Sequence, residues 1–502
     1  MRSAAAPVRG PRRAFRSRRD ARTFGAPKQH QCQQPLTPHP EIAVIPFAKV
    51  VAALLAAVPL AAQNPPPAAP PSSAAPVASD PRIAAIVTAV SAESLRSDVT
   101  RLVGFGTRHT LSDTVSQTRG IGAARRWVKA EFDRIAAACG GCLAVFYVSG
   151  MVGPASRIPQ PTEIVDVVAV QRGTSDTGRY VLMSGDIDSR ISDVINATDS
   201  APGANDNASG LAGTLEAARV LTRYRFAGSI VYAALSAEEQ GLYGGQILAK
   251  WIQEHGWRVT GVLNNDMIGN VQGIDGVTDS STARVFSDGT PPTETEQERT
   301  RRRLTGGEVD GVSRQLARYV DRIADRYVPA LDVWMIYRLD RFGRGGHHRP
   351  FADLGYPAVR VMETHENYDR QHQNVRVENG VHYGDVLEGV DFDYARNITA
   401  LDAATMAALS WAPAPPRTVR LGGAGQPAAV LTWTAPEDSA DVAGYRVYWR
   451  RTDSPTWDYW EDVGTATRHV FTGRIVDNYF FGVASVGREG DESVVVFPGS
   501  GR

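Results

Sequence analysis

The feature that most constrains this chain is a short apolar run ending in acidic residues. The first instance is Tyr180-Val181-Leu182-Met183, followed by Ser184-Gly185-Asp186-Ile187-Asp188. A run of that length bounded by turn residues reads as a buried strand. Asp186 and Asp188 then share one side of an extended chain. Beyond a loop, Asn205-Asp206-Asn207 precede Ala208-Ser209-Gly210 and the helical pattern LAGTLEAARVL. Asp and Asn before a helix are ordinary N-caps, so this stretch alone decides little. Three later segments repeat the pattern. SIVYAALSAEEQGLYG places Glu238 and Glu239 after a strand, VLNNDMIG places Asp266 at a strand end, and AVRVMETHENYDRQHQ brings His372 a short loop beyond another. Adjacent glutamates before a helix can simply favour its positive end, but a carboxylate inside an apolar strand needs a partner. Open α/β sheets hold their chemistry at strand ends, and carboxylates crowded together there repel unless a cation sits among them.

Strands alternate with helices of ordinary length over most of the chain. CLAVFYVSG, EIVDVVAVQRG, YVLMSGD, SIVYAAL, VTGVLNNDMIG and PAVRVME read as strands, and ARRWVKAEFDRIAAA and SRQLARYVDRIADRY as amphipathic helices. This predicts an α/β fold over residues 81–410, a mostly parallel mixed sheet flanked by helices. The polar, Pro-bearing segment from Val271 to Val328 is expected to be a long loop leading to SRQLARYVDRIADRY, and His109 in GFGTRHTLSDT an exposed loop residue. After Pro-rich APAPPRTV, short strands with turn signals (AAVLTWTAP, GYRVYWRR, HVFTG, NYFFGVASVG) predict a small all-β sandwich over 414–500. Trp433, Tyr445 and Tyr479 take the places of its core aromatics, so the module resembles fibronectin type III. It carries no catalytic pattern and reads as a spacer, with adhesion or substrate presentation as the functional alternative.

Residues 1–80 read as leader. Met1 to about Arg22 is Arg-rich, Lys49 precedes the apolar run VVAALLAAVPLAAQ with small residues Ala61 and Ala62, and a Pro/Ala/Ser-rich spacer follows. That order fits an export signal and is too short for a stable membrane span, so a periplasmic or secreted protein is expected. Cys139 and Cys142 in CGGC fit a local disulfide in an oxidising compartment. A formal net charge of +0 gives no argument for binding nucleic acid.

The ordered set APGANDNASG, SAEEQGLYG, NNDMIG and YDRQHQ resembles the zinc exopeptidase family of bacterial leucyl aminopeptidase and aminopeptidase Y, relatives of glutamate carboxypeptidase. The resemblance spans roughly Ser94 to Ala408. It implies two divalent metal ions, zinc by family habit, bridged by Asp206. Glu239, Asp266 and His372 are further ligands, and Glu238 is the general base. Two departures stand out. The family's strand-end H-x-D usually begins with His, where this chain has Asp186 as the implied ligand and Asp188 behind it. An acid is expected at His347, ahead of His348; these histidines and Tyr368 are assigned to the pocket or its surroundings. A more acidic ligand set would weaken Lewis acidity and favour a harder ion.

The resemblance implies an aminopeptidase acting on peptides or proteins with a free N-terminus. A carboxypeptidase or another amidohydrolase on the same scaffold is the alternative within enzymes, since metal ligands do not record which end of the substrate is held. A glutaminyl cyclase keeps an acid pair but usually works with one metal. A non-catalytic binding or adhesion protein with a decayed metal site is the alternative outside them. Asp186 favours that last reading, while retention of both Glu238 and Glu239 argues against it.

Overall fold

The computed structural model describes residues 79–499. The basic leader, the export-type run and most of the spacer lie outside the described residues. Helices α1 (Pro81–Ala89), α2 (Ala92–Val103) and α3 (Gly120–Ala138) lead into strands β1 (Leu143–Val152), β2 (Thr162–Gln171) and β3 (Asp176–Asp186). Next come α4 (Gly210–Leu221), β4 (Gly228–Leu235), α5 (Tyr243–Glu254), β5 (Arg258–Asn265) and β6 (Thr282–Ser287). They are followed by α6 (Glu296–Thr305), α7 (Val312–Tyr327), β7 (Asp332–Ile336), α8 (His348–Asp353) and β8 (Ala358–Glu363). A hairpin of β9 (Arg376–Glu378) and β10 (Val381–Tyr383) precedes the long helix α9 (Phe392–Trp411).

Strands β1 to β8 form one sheet in the order β1-β2-β4-β3-β5-β8-β6-β7. The centre is parallel: β3 pairs with β4 and β5, and β5 with β8. Antiparallel pairs β1–β2, β2–β4 and β6–β8 make it mixed, as the sequence pattern predicts. Alternate residues of each strand serve opposite layers. Val181 and Met183 join a core with α1 to α4, α7 and α9, whereas Leu182 between them joins a second core with α5 and α8. Every residue of β4 is buried, so this strand reads as a continuous apolar run.

Two expectations need correction. The segment 271–328 is not one long loop, because it contains β6 and α6. Helix α6 buries no residue and so shows no apolar stripe. A capping box between Thr295 and Glu298 holds its first turn instead. His109 is not exposed; it is fully buried, with Nε2 3.1 Å from the Val194 carbonyl.

Cys139 and Cys142 form a disulfide where α3 turns into β1. At the C-terminus, β11 (Arg417–Gly422), β12 (Ala428–Thr434), β13 (Val442–Arg451), β14 (Tyr459–Asp462), β15 (Arg468–Thr472) and β16 (Tyr479–Gly487) make two antiparallel sheets. Their orders are β11-β12-β15 and β14-β13-β16. Leu431 and Trp433 from one sheet pack against Tyr445, Val447 and Phe481 from the other, and the Trp433 and Tyr445 rings meet edge to face at 5.5 Å.

These sheets are fastened to the larger unit by buried charge. The Asp310 carboxylate, ahead of α7, pairs with Arg318 of α7 and Arg450 of β13, each at 2.8 Å. Tyr319 of α7 donates to the Glu492 carbonyl at 2.9 Å. Removing one member of a buried ion pair costs about 3–5 kcal/mol, because the remaining charge loses both water and partner. Asp310→Ala, which strands two guanidinium groups, is expected to destabilise by at least that order in urea unfolding followed by fluorescence.

Candidate metal centre

The site assembles at the carboxyl edge of the four central strands. Asp186 ends β3, Glu238 and Glu239 follow β4, Asp266 follows β5, and His372 lies on the loop after β8. That edge of an open α/β sheet is where crevices form. Close approach is needed there: a Cβ on Gly185 would come within 2.5 Å of the backbone at the start of α4.

Several of the turns hold left-handed backbone at residues other than glycine. Ala237 just before Glu238, Met267 just after Asp266, and His372 itself have φ of 59°, 62° and 57°. Such conformations persist only where neighbours enforce them. Asp188 supplies one enforcement: its two oxygens accept the backbone N–H groups of Glu238 and Glu239, both at 3.2 Å. Asn207 supplies another, its Oδ1 accepting the Met267 N–H at 3.2 Å. Asp385 does the same for the turn carrying Asp206, accepting N–H from Asn205 and Asp206 at 2.8 and 2.7 Å.

Asp206, Glu239 and His372 bring their ligand atoms within 4.8 Å of one another. His372 Nε2 lies 2.9 Å from Asp206 Oδ2 and 2.8 Å from Glu239 Oε1. Arg190 flanks the ring, with Nη2 2.7 Å from His372 Nδ1 and Nε donating to Glu239 Oε2 at 2.6 Å. His372 Nε2 is the nitrogen turned to the carboxylates. Gln371 Nε2 donates to Asp206 Oδ2 at 3.2 Å.

The electrostatics call for a cation. Burial pushes Asp186 up to about 8 and Asp266 up to about 7. Glu238 is raised well above the usual carboxylate range, first by burial and then by the charges of Asp266 and Glu239. Burial also opposes ionisation of Asp206, but the positive charge of a protonated His372 outweighs it and holds this acid well below its usual range. A divalent ion would favour the charged form of all of them. Two carboxylates and one imidazole form a donor set that zinc accepts, so the residues fit the metal that the resemblance implies.

The remaining sequence-based candidates have distinct surroundings. Asp186 accepts from Asn207 Nδ2 at 2.7 Å and lies 2.5 Å from His347 Nδ1. Asp266 Oδ2 is 2.8 Å from Arg360 Nη2. Asp188 reaches the centre only through the backbone it caps. His348 is turned to the Leu339 carbonyl at 2.8 Å, and burial lowers it to about 4. Tyr368 is 53% exposed. The sequence reading missed Arg190, Arg360, Asp385 and Gln371. Of these, Arg360 left a trace: a charged residue inside the apolar strand AVRVME demands a partner.

A cavity of about 650 Å³ lies elsewhere, lined by Arg179, Arg258, Arg302, Pro413, Pro415 and Arg417 among others. Arg179 and Arg258 stand near the amino ends of β3 and β5, away from the acids.

A sheet with acids and a histidine gathered at its carboxyl edge, ready for a divalent ion, defines a metallohydrolase-type centre. The chain belongs to peptidase family M28, whose family model matches residues 166–381. It is 42% identical over 431 residues to a protein of Pyrenophora tritici-repentis (strain Pt-1C-BFP) named "Probable zinc metalloprotease", covering 84% of this chain and 88% of the relative. A similarly named protein of Leptosphaeria maculans is 43% identical over 422 residues, covering 84% and 97%. Among solved structures, the Legionella pneumophila LapA aminopeptidase matches with a TM-score of 0.48 and 20% identity, covering 66% of this chain and 75% of that one.

Groups behind metal ligands typically govern affinity by about 10–100-fold. Asp188→Asn replaces one of the two oxygens beneath Glu238 and Glu239 with a donor. It is expected to weaken zinc binding by that order in a competition titration against a chromogenic chelator, with unchanged circular dichroism.

Proposed function

We propose that this zinc metalloprotease is an exported aminopeptidase that removes residues from free peptide N-termini. The observation that carries this reading is the convergence of Asp206, Glu239 and His372 on one point, with Glu238 beside them. A zinc ion held by those three residues would polarise a scissile carbonyl and acidify water. Glu238 would accept the proton of the attacking water and pass it to the leaving amine. Asp188 and the left-handed turn at Ala237 keep Glu238 pointed at the centre while Glu239 is directed to the metal.

The preference for an N-terminus follows from charge. An acid among Asp186, Asp206, Glu238, Glu239 and Asp266 that is left over by the metal and the arginines would accept from a protonated α-amine, a contact a substrate carboxylate could not make. Export is supported by the signal-like run ahead of the spacer and by the Cys139–Cys142 disulfide. The strand orders of the C-terminal sheets support a fibronectin type III-like module acting as a spacer.

Glu238→Gln is expected to lower hydrolysis of leucine p-nitroanilide by about 100-fold or more, while the protein keeps its zinc. The same reporter with an acetylated amine should not be cleaved, and chelation should stop turnover until zinc is restored. Cleavage of N-blocked peptides from their C-terminus would replace the aminopeptidase with the carboxypeptidase reading.

A further inference from the structure

Resting on that reading, we propose that the chain holds a single catalytic metal ion, at Asp206, Glu239 and His372, and that the Arg360 guanidinium takes the place of a second. The family resemblance implies two ions bridged by Asp206, with Asp186 and Asp266 among the ligands beside Glu239 and His372. Among the described residues, Asp206, Glu239 and His372 form the one convergent group of three ligand-type side chains. Asp186 and Asp266 do not join a group of that kind, and each is engaged otherwise.

Asp266 is held by Arg360, whose Nη2 lies 2.8 Å from Oδ2. This guanidinium is not a loose counter-ion. Arg360 is fully buried on β8, and its Nη1 is fixed by Asp340 Oδ2 at 3.1 Å and the Gly345 carbonyl at 2.9 Å. Gly346 leaves room for it, since a Cβ there would lie 3.1 Å from Nη1. Asp340, Gly345 and Gly346 are not among the implied ligands, so the arginine is anchored by a frame separate from the metal. An arginine keeps its charge at any physiological pH, and a fixed positive charge on Asp266 repels a second cation.

The Asp186 carboxylate is committed on both oxygens. One accepts from Asn207 Nδ2, and the other meets His347 Nδ1. The two departures noted in the sequence therefore meet as one contact. Where the family pattern puts His on β3 and an acid ahead of His348, this chain has the acid on β3 and His347 opposite. The β3 position thus presents a carboxylate hydrogen-bonded to His347 where the pattern leads one to expect an imidazole. Arg360 would neutralise Asp266 and leave Lewis-acid chemistry to one ion.

Native mass spectrometry and elemental analysis of the purified full chain, equilibrated with micromolar zinc, test this directly. One zinc per chain is expected, and two would overturn the inference. Asp266→Asn should still bind one ion, and loss of an ion would overturn it as well. Arg360→Met, if it folds, should admit a second ion; a folded variant that stays at one would show that Arg360 is not what excludes it. His372→Ala separates this inference from the reading beneath it. It should bind none, and an ion retained there would refute the proposed centre itself.

Discussion

The organising constraint in this molecule is negative charge buried at the carboxyl edge of a parallel sheet. An acid removed from water is stable only with a counter-charge or with hydrogen bonds that replace its hydration. The chain supplies both, in different places. Asp188 and Asp385 are satisfied by backbone N–H groups and so act as scaffolding for the turns above them. Asp266 is satisfied by Arg360. Asp206 and Glu239 converge on His372. The same residue type thus serves as brace, ion-pair partner or ligand according to what lies within 3 Å or so of it.

Much of this was legible in the sequence, for a physical reason. Strands buried on both faces are nearly continuous apolar runs, so an acid at the end of one stands out. That signal located Asp186, Glu238, Glu239 and Asp266, and helical periodicity located α3 and α7. What stayed hidden depends on contacts between distant segments. Arg190 lies two residues beyond Asp188 in the chain, yet nothing local shows that its guanidinium bridges Glu239 and His372. Asp385 sits in a polar stretch without periodicity. Helix α6 was lost to the expectation of a loop because a helix polar on all sides has no stripe to detect. His109 was misplaced because a histidine in a loop carries no sign of the carbonyl that waits for it.

The chain shares about two residues in five with the probable zinc metalloproteases it resembles. At position 186 this chain has an acid where the resembled pattern leads one to expect His, and that acid meets His347. A metal does not see the two arrangements as equal, since carboxylate oxygen and imidazole nitrogen differ in charge and in softness.

The Asp310 junction bears on how the two parts of the molecule move. Because one carboxylate is shared by Arg318 of the larger unit and Arg450 of the C-terminal sheets, the Pro-rich connector is not a free hinge. Anything gripped by those sheets would be carried at a constant bearing to the cleft, like a tool clamped in a fixed jig and not swung on a tether.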